Sequence, residues 1–356
     1  MKMGLKFAAV AVTALMLLAG CANNKVKGKA SGGHKKDEKI VVYSNSVANG
    51  RGDFLKEKAK EKGFDLEIVD LGGNDLLNRV MAEKDAPIAD VVFGMNQMMF
   101  NKVEKTGILE TYQPKWLDQV DPALVNKQHK FSPLQEQRVF MVYDAKKIKA
   151  ADAVKDWQQL ANDKSLKGKY IVPKGLGGAT ANAVVYNILM NYQDKSAKMG
   201  ISKEGFEVLN KFFKNGTNAT DGQSEVGEIA NGVADYAYTW LSNVPLLEDK
   251  LGIKLGIVNP PYGVPQTVEQ VGIIKKDKMK SQAKDFVDFL GSAELQRGWS
   301  EKFGSAPVNK EAQSSVNPSI KKILETTTPQ ANDYDFISQH LDAWTEYIEL
   351  NLLGAK

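Results

Sequence analysis

A chain of 356 residues exceeds what one hydrophobic core usually serves, about 250–300 residues, so two domains are expected. With 43% hydrophobic and 25% charged residues the composition is globular and excludes wholesale disorder. One cysteine excludes an internal disulfide and a paired-cysteine metal site, three histidines speak against a histidine-rich one, and the net charge of +4 matters less than its placement.

Lys2 and Lys6 open the chain ahead of the apolar run Phe7–Leu18. That run has the length of a signal-peptide core and falls short of the roughly 20 residues of a membrane span. It closes on Leu18-Ala19-Gly20-Cys21, a tetrapeptide that resembles the bacterial lipobox, in which cleavage leaves the cysteine as a lipidated N-terminus. The chain's only cysteine stands at the position this motif requires. Residues 1–20 are therefore expected to be a signal peptide, and Cys21 a lipidation site that holds the protein to a membrane without a spanning helix. Residues 21–39, rich in Gly, Ser, Asn and Lys, read as a flexible tether. Eight of the 47 basic residues and two of the 43 acidic ones fall in the first 39 positions, which leaves 39 bases against 41 acids in the body. A slightly acidic body offers no basic face for nucleic acid.

The folded region starts abruptly. Ile40–Ser44 is a short apolar strand of the kind buried on both faces. Helix 53–62 ends at Gly63, strand 66–69 is closed by Gly72-Gly73, and helix 75–83 follows. Strand 89–93 ends at Gly94, and helix 96–105 stops before Gly107. Three strand–helix units in sequence predict a parallel, doubly wound α/β sheet. The middle of the chain predicts strands at 138–143, 169–172, 234–240, 255–258 and 271–274, with helices at 181–192, 204–214 and 225–231 between them. The end is helical, at 281–290, 294–303, 318–326 and 334–352. The fold class is thus α/β, with two doubly wound lobes and a helical C-terminal segment on the first.

Open α/β sheets bind ligands at the carboxyl ends of their strands. Three polar loops follow strands here: Ser44-Asn45-Ser46, Gly94–Gln97 and Gly175–Asn182. Gly178 and Thr180, at a helix start, suit an anionic group. This turn lacks the Gly-Lys-Ser/Thr of a P-loop and the GxGxxG of a dinucleotide site, and no cofactor is expected. Tyr236, Tyr238 and Trp240 share one face of a predicted strand at period two. Tyr238, with Asn243 close behind it, is a candidate ligand wall, and so is Tyr262 beside Pro260-Pro261. Arg51 and Arg79 are the arginines near the right loops. No GxSxG, HExxH or Ser-His-Asp pattern indicates an enzyme. A reading of a different class is a lipid-anchored adhesin or structural lipoprotein.

The lipobox, the tether, Val42-Tyr43-Ser44, Ala89–Gly94 with the helix ending Lys105-Thr106-Gly107-Ile108-Leu109, and Phe286–Leu290 with Gly291-Ser292 and Gln296 together resemble the extracellular solute-binding lipoproteins of bacterial ABC importers. The likeness is to their type II branch, which includes ferric, thiamine and phosphonate or sugar-phosphate binders. It implies two lobes joined by two crossing segments, here 40–138 plus 264–356 and 139–263. It also implies a small solute bound non-covalently between them, and transmembrane permease subunits as partners. The protein is expected to be monomeric and anchored at the outer face of a bacterial membrane. The solute-binding set is expected to be Ser44, Asn45, Asn96, Gly178, Thr180, Tyr238, Asn243 and Tyr262. A thiamine-like or phosphorylated or phosphonate solute leads. Ferric iron on tyrosine ligands is the alternative, although Ser44-Asn45-Ser46 brings no histidine and Tyr236 and Tyr238 are not adjacent.

Overall fold

The computed structural model describes residues 39–278 and 280–353; the predicted signal peptide, Cys21 and the tether up to Glu38 lie outside them. The first strand–helix units form as the sequence leads one to expect. They are β1 (Ile40–Ser44), α1 (Arg51–Glu61), β2 (Leu66–Asp70), α2 (Gly73–Ala82), β3 (Val91–Asn96) and α3 (Gln97–Glu104). β1 lies between β2 and β3, parallel to both. Its alternate side chains enter different cores. Ile40 and Val42, with Val91 and Phe93 of β3, pack against Phe54, Phe286 and Trp299, whereas Tyr43 and Val92 pack with Leu76 and Phe100 on the other face. Burial on both faces is why these strands read as unbroken apolar runs.

The rest of the sheet is mixed. In chain order come β4 (Ser132–Asp144), α4 (Trp157–Asn162), α5 (Ala179–Leu189), α6 (Lys203–Asn215), α7 (Glu225–Ala230), β5 (Tyr236–Trp240), α8 (Val244–Leu251), β6 (Leu255–Ile257) and β7 (Gln266–Ile273). The chain ends with α9 (Gln282–Leu290), α10 (Ala293–Phe303), β8 (Ala306–Pro307), α11 (Pro318–Thr326) and α12 (Tyr334–Ile348). The strand order is β2-β1-β3-β7-β4-β5, and β6 and β8 also pair with β4. β7 runs antiparallel to β3 and to β4, and β5 antiparallel to β4. The expected all-parallel winding therefore holds only for β1–β3. The predicted strand at 169–172 reduces to isolated bridges at Tyr170 and Ile171.

β4 serves both halves of the fold. Ser132–Arg138 pairs with β7, and Val139–Tyr143 pairs with β5. The second half has its own core, built around Phe140, Trp157, Tyr170, Tyr186 and Phe212. A second crossing, near Gly263 and Val264, is held by the Asn187 amide, which donates to the Gly263 carbonyl (3.1 Å) and to Gln330 Oε1 (2.8 Å). Arg138, at the point where β4 changes partners, donates to the Thr327 carbonyl at 2.7 Å and pairs with Glu136. The helical end divides between the halves. α9 and α10 pack on the first core, but Ile320 and Ile323 of α11 and Ile337 and Trp344 of α12 join the second. Only the front part of that segment thus packs wholly on the first core, because the apolar faces of α11 and α12 meet the second core. α12 also touches α3 through Lys102–Asp342 (2.7 Å). No helix among the described residues is long and apolar enough to cross a membrane.

Candidate functional site

A polar cavity of about 300 Å³ opens where the two halves meet. Its floor is a cross-strand patch. Gln135 and Gln137 of β4, two residues apart on the strand, sit opposite Glu269 and Thr267 of β7 across the ladder. Asn96, at the end of β3, pairs with Glu269 from the other side. Two strands on two edges of β7 thereby bring amides and a carboxylate to one surface.

The loops complete the walls. After β1, the Ser44 hydroxyl accepts from the Ser46 backbone N–H (3.0 Å), which folds the loop and presents Asn45 and Ser46 to the cavity. Gly50, at φ +80°, turns the chain into α1 and places Arg51 on the rim. Gly94, at φ +98°, lets the neighbouring loop approach, since a Cβ there would lie 2.4 Å from Asn45 Oδ1. Asn96 Oδ1 accepts from the Met99 N–H (3.0 Å) and so starts α3. From the second half come Ala179 and Thr180 at the start of α5, Trp240 at the end of β5 and Ser242 just after it. Trp299 and Ser305 close the first half's side. Among the described residues, the buried side-chain oxygens Asn45 Oδ1 and Ser305 Oγ find no hydrogen-bond partner.

Two charges line the cavity, those of Arg51 and Glu269. Glu269 Oε2 accepts from the Ser46 hydroxyl at 2.8 Å. Burial raises the Glu269 carboxyl above its ordinary range, and the Ser46 hydroxyl, Arg51 and Gln137 oppose that rise. Burial lowers the Arg51 pKa, and Glu269 opposes this.

Of the residues singled out from sequence, Asn45, Arg51, Asn96 and Thr180 line this cavity. Ser44 shapes the loop from beneath, fully buried. Gly178 precedes α5 as its N-cap. Tyr238, Asn243 and Tyr262 are not brought to the cavity. Tyr238 is turned into the second core, and its hydroxyl donates to Glu225 (3.2 Å). The Asn243 amide donates to Thr239 Oγ1 (3.1 Å), and the Tyr262 hydroxyl donates to Gln158 Oε1 (2.6 Å). Burial pushes both phenols well above their ordinary pKa, which disfavours phenolate at either. Arg79 also lies elsewhere, paired with Glu83 and placed over the Tyr43 ring. Among the described residues no group of three or more His, Cys, Asp or Glu is placed to hold a metal ion.

Sequence reading missed Gln135, Gln137, Glu269, Trp299 and the cavity role of Trp240. Part of the signal was present. Polar residues at 135 and 137, and again at 267 and 269, repeat at the period of a strand face.

A sequence profile of bacterial extracellular solute-binding proteins matches residues 54–326. A probable ABC transporter periplasmic-binding protein, y4fP of Sinorhizobium fredii, is 28% identical over 313 residues, covering 88% of this chain and 86% of its own. Among solved structures, a ferric binding protein from Campylobacter jejuni superposes with a TM-score of 0.74 at 17% identity, over 88% of this chain and 99% of its own. The periplasmic binding protein AfuA from Actinobacillus pleuropneumoniae, with fructose-6-phosphate bound, gives a TM-score of 0.68 at 20% identity, over 87% and 98%. At such identities these structures establish the fold, that of type II periplasmic binding proteins.

Proposed function

The chain belongs to the bacterial extracellular solute-binding protein family, and from that premise we propose that it is the lipid-anchored solute receptor of an ABC importer, capturing a small polar organic solute between two lobes and passing it unaltered to membrane permease subunits. The lobes are residues 40–138 with 264–356, and residues 139–263. Support for that division comes from β4, whose partners change between Arg138 and Val139. Cys21, followed by the tether, supplies the anchor at the outer face of the membrane.

The observation that carries the reading is the polar cavity between the halves, lined from one side by Asn45, Ser46, Arg51 and Glu269 and from the other by Thr180 and Trp240. A solute touching both sets stabilises the arrangement in which both are near it, and closure follows from that differential affinity. A phosphorylated or phosphonate solute suits Arg51 and the α5 start, whereas the cationic ring of a thiamine-like solute would need Glu269; the sugar phosphate named for AfuA is of the first kind. The test is a thermal-shift screen with hexose phosphates, aminoethylphosphonate, thiamine and its phosphates, and ferric chelates. A specific ligand at a hundredfold excess over Kd adds about 2.7 kcal/mol of stability. A flat response across the panel counts against the reading.

Ferric iron is the second reading, favoured by the Campylobacter likeness. The cavity lining contains no tyrosine. Iron on Tyr238 or Tyr262 therefore requires those side chains to leave their partners and ionise. A visible tyrosinate-to-iron absorption band on adding ferric citrate tests it.

A further inference from the structure

Arg51 and Glu269 are unusual among the charges of this protein. Most buried or half-buried charges near the sheet are neutralised in place: Asp90 by Lys276 and Lys280, Arg138 by Glu136, Arg79 by Glu83. Arg51 and Glu269 face one cavity from different elements, α1 and β7, and each influences the ionisation of the other. Yet they form no ion pair with each other or with any described residue, so their nitrogen and oxygen atoms stay more than 4.0 Å apart. Neutral groups hold each of them instead. The Arg51 guanidinium lies over the Phe303 ring, 5.1 Å from its centroid, and Nη1 donates to the Ala48 carbonyl at 3.4 Å. Glu269 takes the Ser46 hydroxyl. Every other cavity-lining side chain is neutral.

A charge withdrawn from water without a partner is costly, and a ligand of complementary charge removes that cost. A solute carrying only an acid group and placed at Arg51 would sit beside the Glu269 carboxylate. One carrying only an amine and placed at Glu269 would sit beside the guanidinium. A molecule with both groups satisfies the two at once. We infer that the solute is amphoteric: a small molecule whose protonated amine is held by Glu269 and whose carboxylate, phosphonate or phosphate is held by Arg51. The amides of Gln135, Gln137 and Asn96 read its remaining polar atoms, and Trp240 covers its body from the second half. This rests on the solute-binding reading and narrows it.

The test is calorimetric titration of the purified full-length chain. The probes are the twenty L-amino acids, 4-aminobutyrate and 2-aminoethylphosphonate, each beside an amine-only and an acid-only counterpart, with fructose-6-phosphate and ferric citrate as probes outside the class. The inference expects an amphoteric probe to bind at least tenfold more tightly than either of its counterparts. Glu269→Gln should abolish the advantage over the acid-only partner, and Arg51→Gln the advantage over the amine-only one. Far-ultraviolet circular dichroism checks that each variant is folded, and the probe comparison on the unaltered protein stands without them. Tightest binding by fructose-6-phosphate, by an acid-only probe or by ferric citrate overturns the amphoteric assignment while leaving solute capture intact. Binding by no probe at all overturns both.

Discussion

Trp240 and Tyr238 lie on one face of β5, two residues apart, and do different work. Trp240, at the strand's end, is 39% exposed and lines the cavity, while Tyr238 is buried with its hydroxyl on Glu225. Trp240→Ala should weaken solute binding about tenfold, the loss of one aromatic contact, while changing stability by less than about 1 kcal/mol. Tyr238→Phe should leave affinity unchanged and cost about 1 kcal/mol of stability for one hydrogen bond. Parallel titrations and melts of the two variants separate these outcomes; equal affinity losses would return Tyr238 to the site. The period-two pattern made the shared face legible from sequence, but not which of its members stands at the cavity end of the strand. Glu269 makes a prediction of its own. Its carboxyl is raised above 4.5 by burial, so its favourable contribution is complete below that value and is lost as pH rises through the folded pKa. Glu269→Gln escapes that loss. The variant's melting temperature relative to the parent should therefore climb as pH rises from 4.5 through the folded value. A relative fall over that range would mean the ionised carboxylate is the stabilised form.

At the scale of elements, legibility followed burial. β1 and β3 were plain because both faces are apolar, and α11 was found with its true bounds because Asn317 caps it and Pro318 opens it. The first half of β4 went unread. Ser132-Pro133-Leu134-Gln135-Glu136-Gln137 carries polar residues where a strand usually shows apolar ones, because two of them face the cavity. α4 and α8 were missed, α8 because Pro245 reads as a breaker although it occupies the first helical turn. The joint between β1 and β3 depends on Asp90. It accepts from the Val41 N–H at 2.8 Å and pairs with Lys276 at 2.8 Å and Lys280 at 3.0 Å. Burial raises its pKa, but Lys276, the Val41 N–H and Lys280 together outweigh this and hold it below 3.8. Asp90→Ala should cost about 2–3 kcal/mol in urea unfolding, below the roughly 3–5 kcal/mol of a fully buried pair because the lysines can rehydrate. The contribution of Asp90 is present above 3.8 and fades as pH falls through the folded value, so the difference between variant and parent should shrink in acid. A difference that persists there would assign the loss to packing.

For the whole molecule, the order of strands and helices conveyed the architecture, whereas the antiparallel pairing of β7, β4 and β5 did not show. Antiparallel partners distant in sequence leave no local mark, and neither does the division of the helical end between two cores. Closure around a solute should lower the radius of gyration in small-angle X-ray scattering; an unchanged radius with a probe that binds would argue for a preformed pocket. The single strand β4, shared by both halves, has a separate consequence. Its thirteen residues supply ladder partners to β7 along the first part of the strand and to β5 and β6 along the second, so melting either region strips neighbours from the other. Differential scanning calorimetry should therefore record one endotherm whose van't Hoff and calorimetric enthalpies agree, as for a two-state unit. Two resolved peaks would reveal lobes that denature independently despite their common backbone.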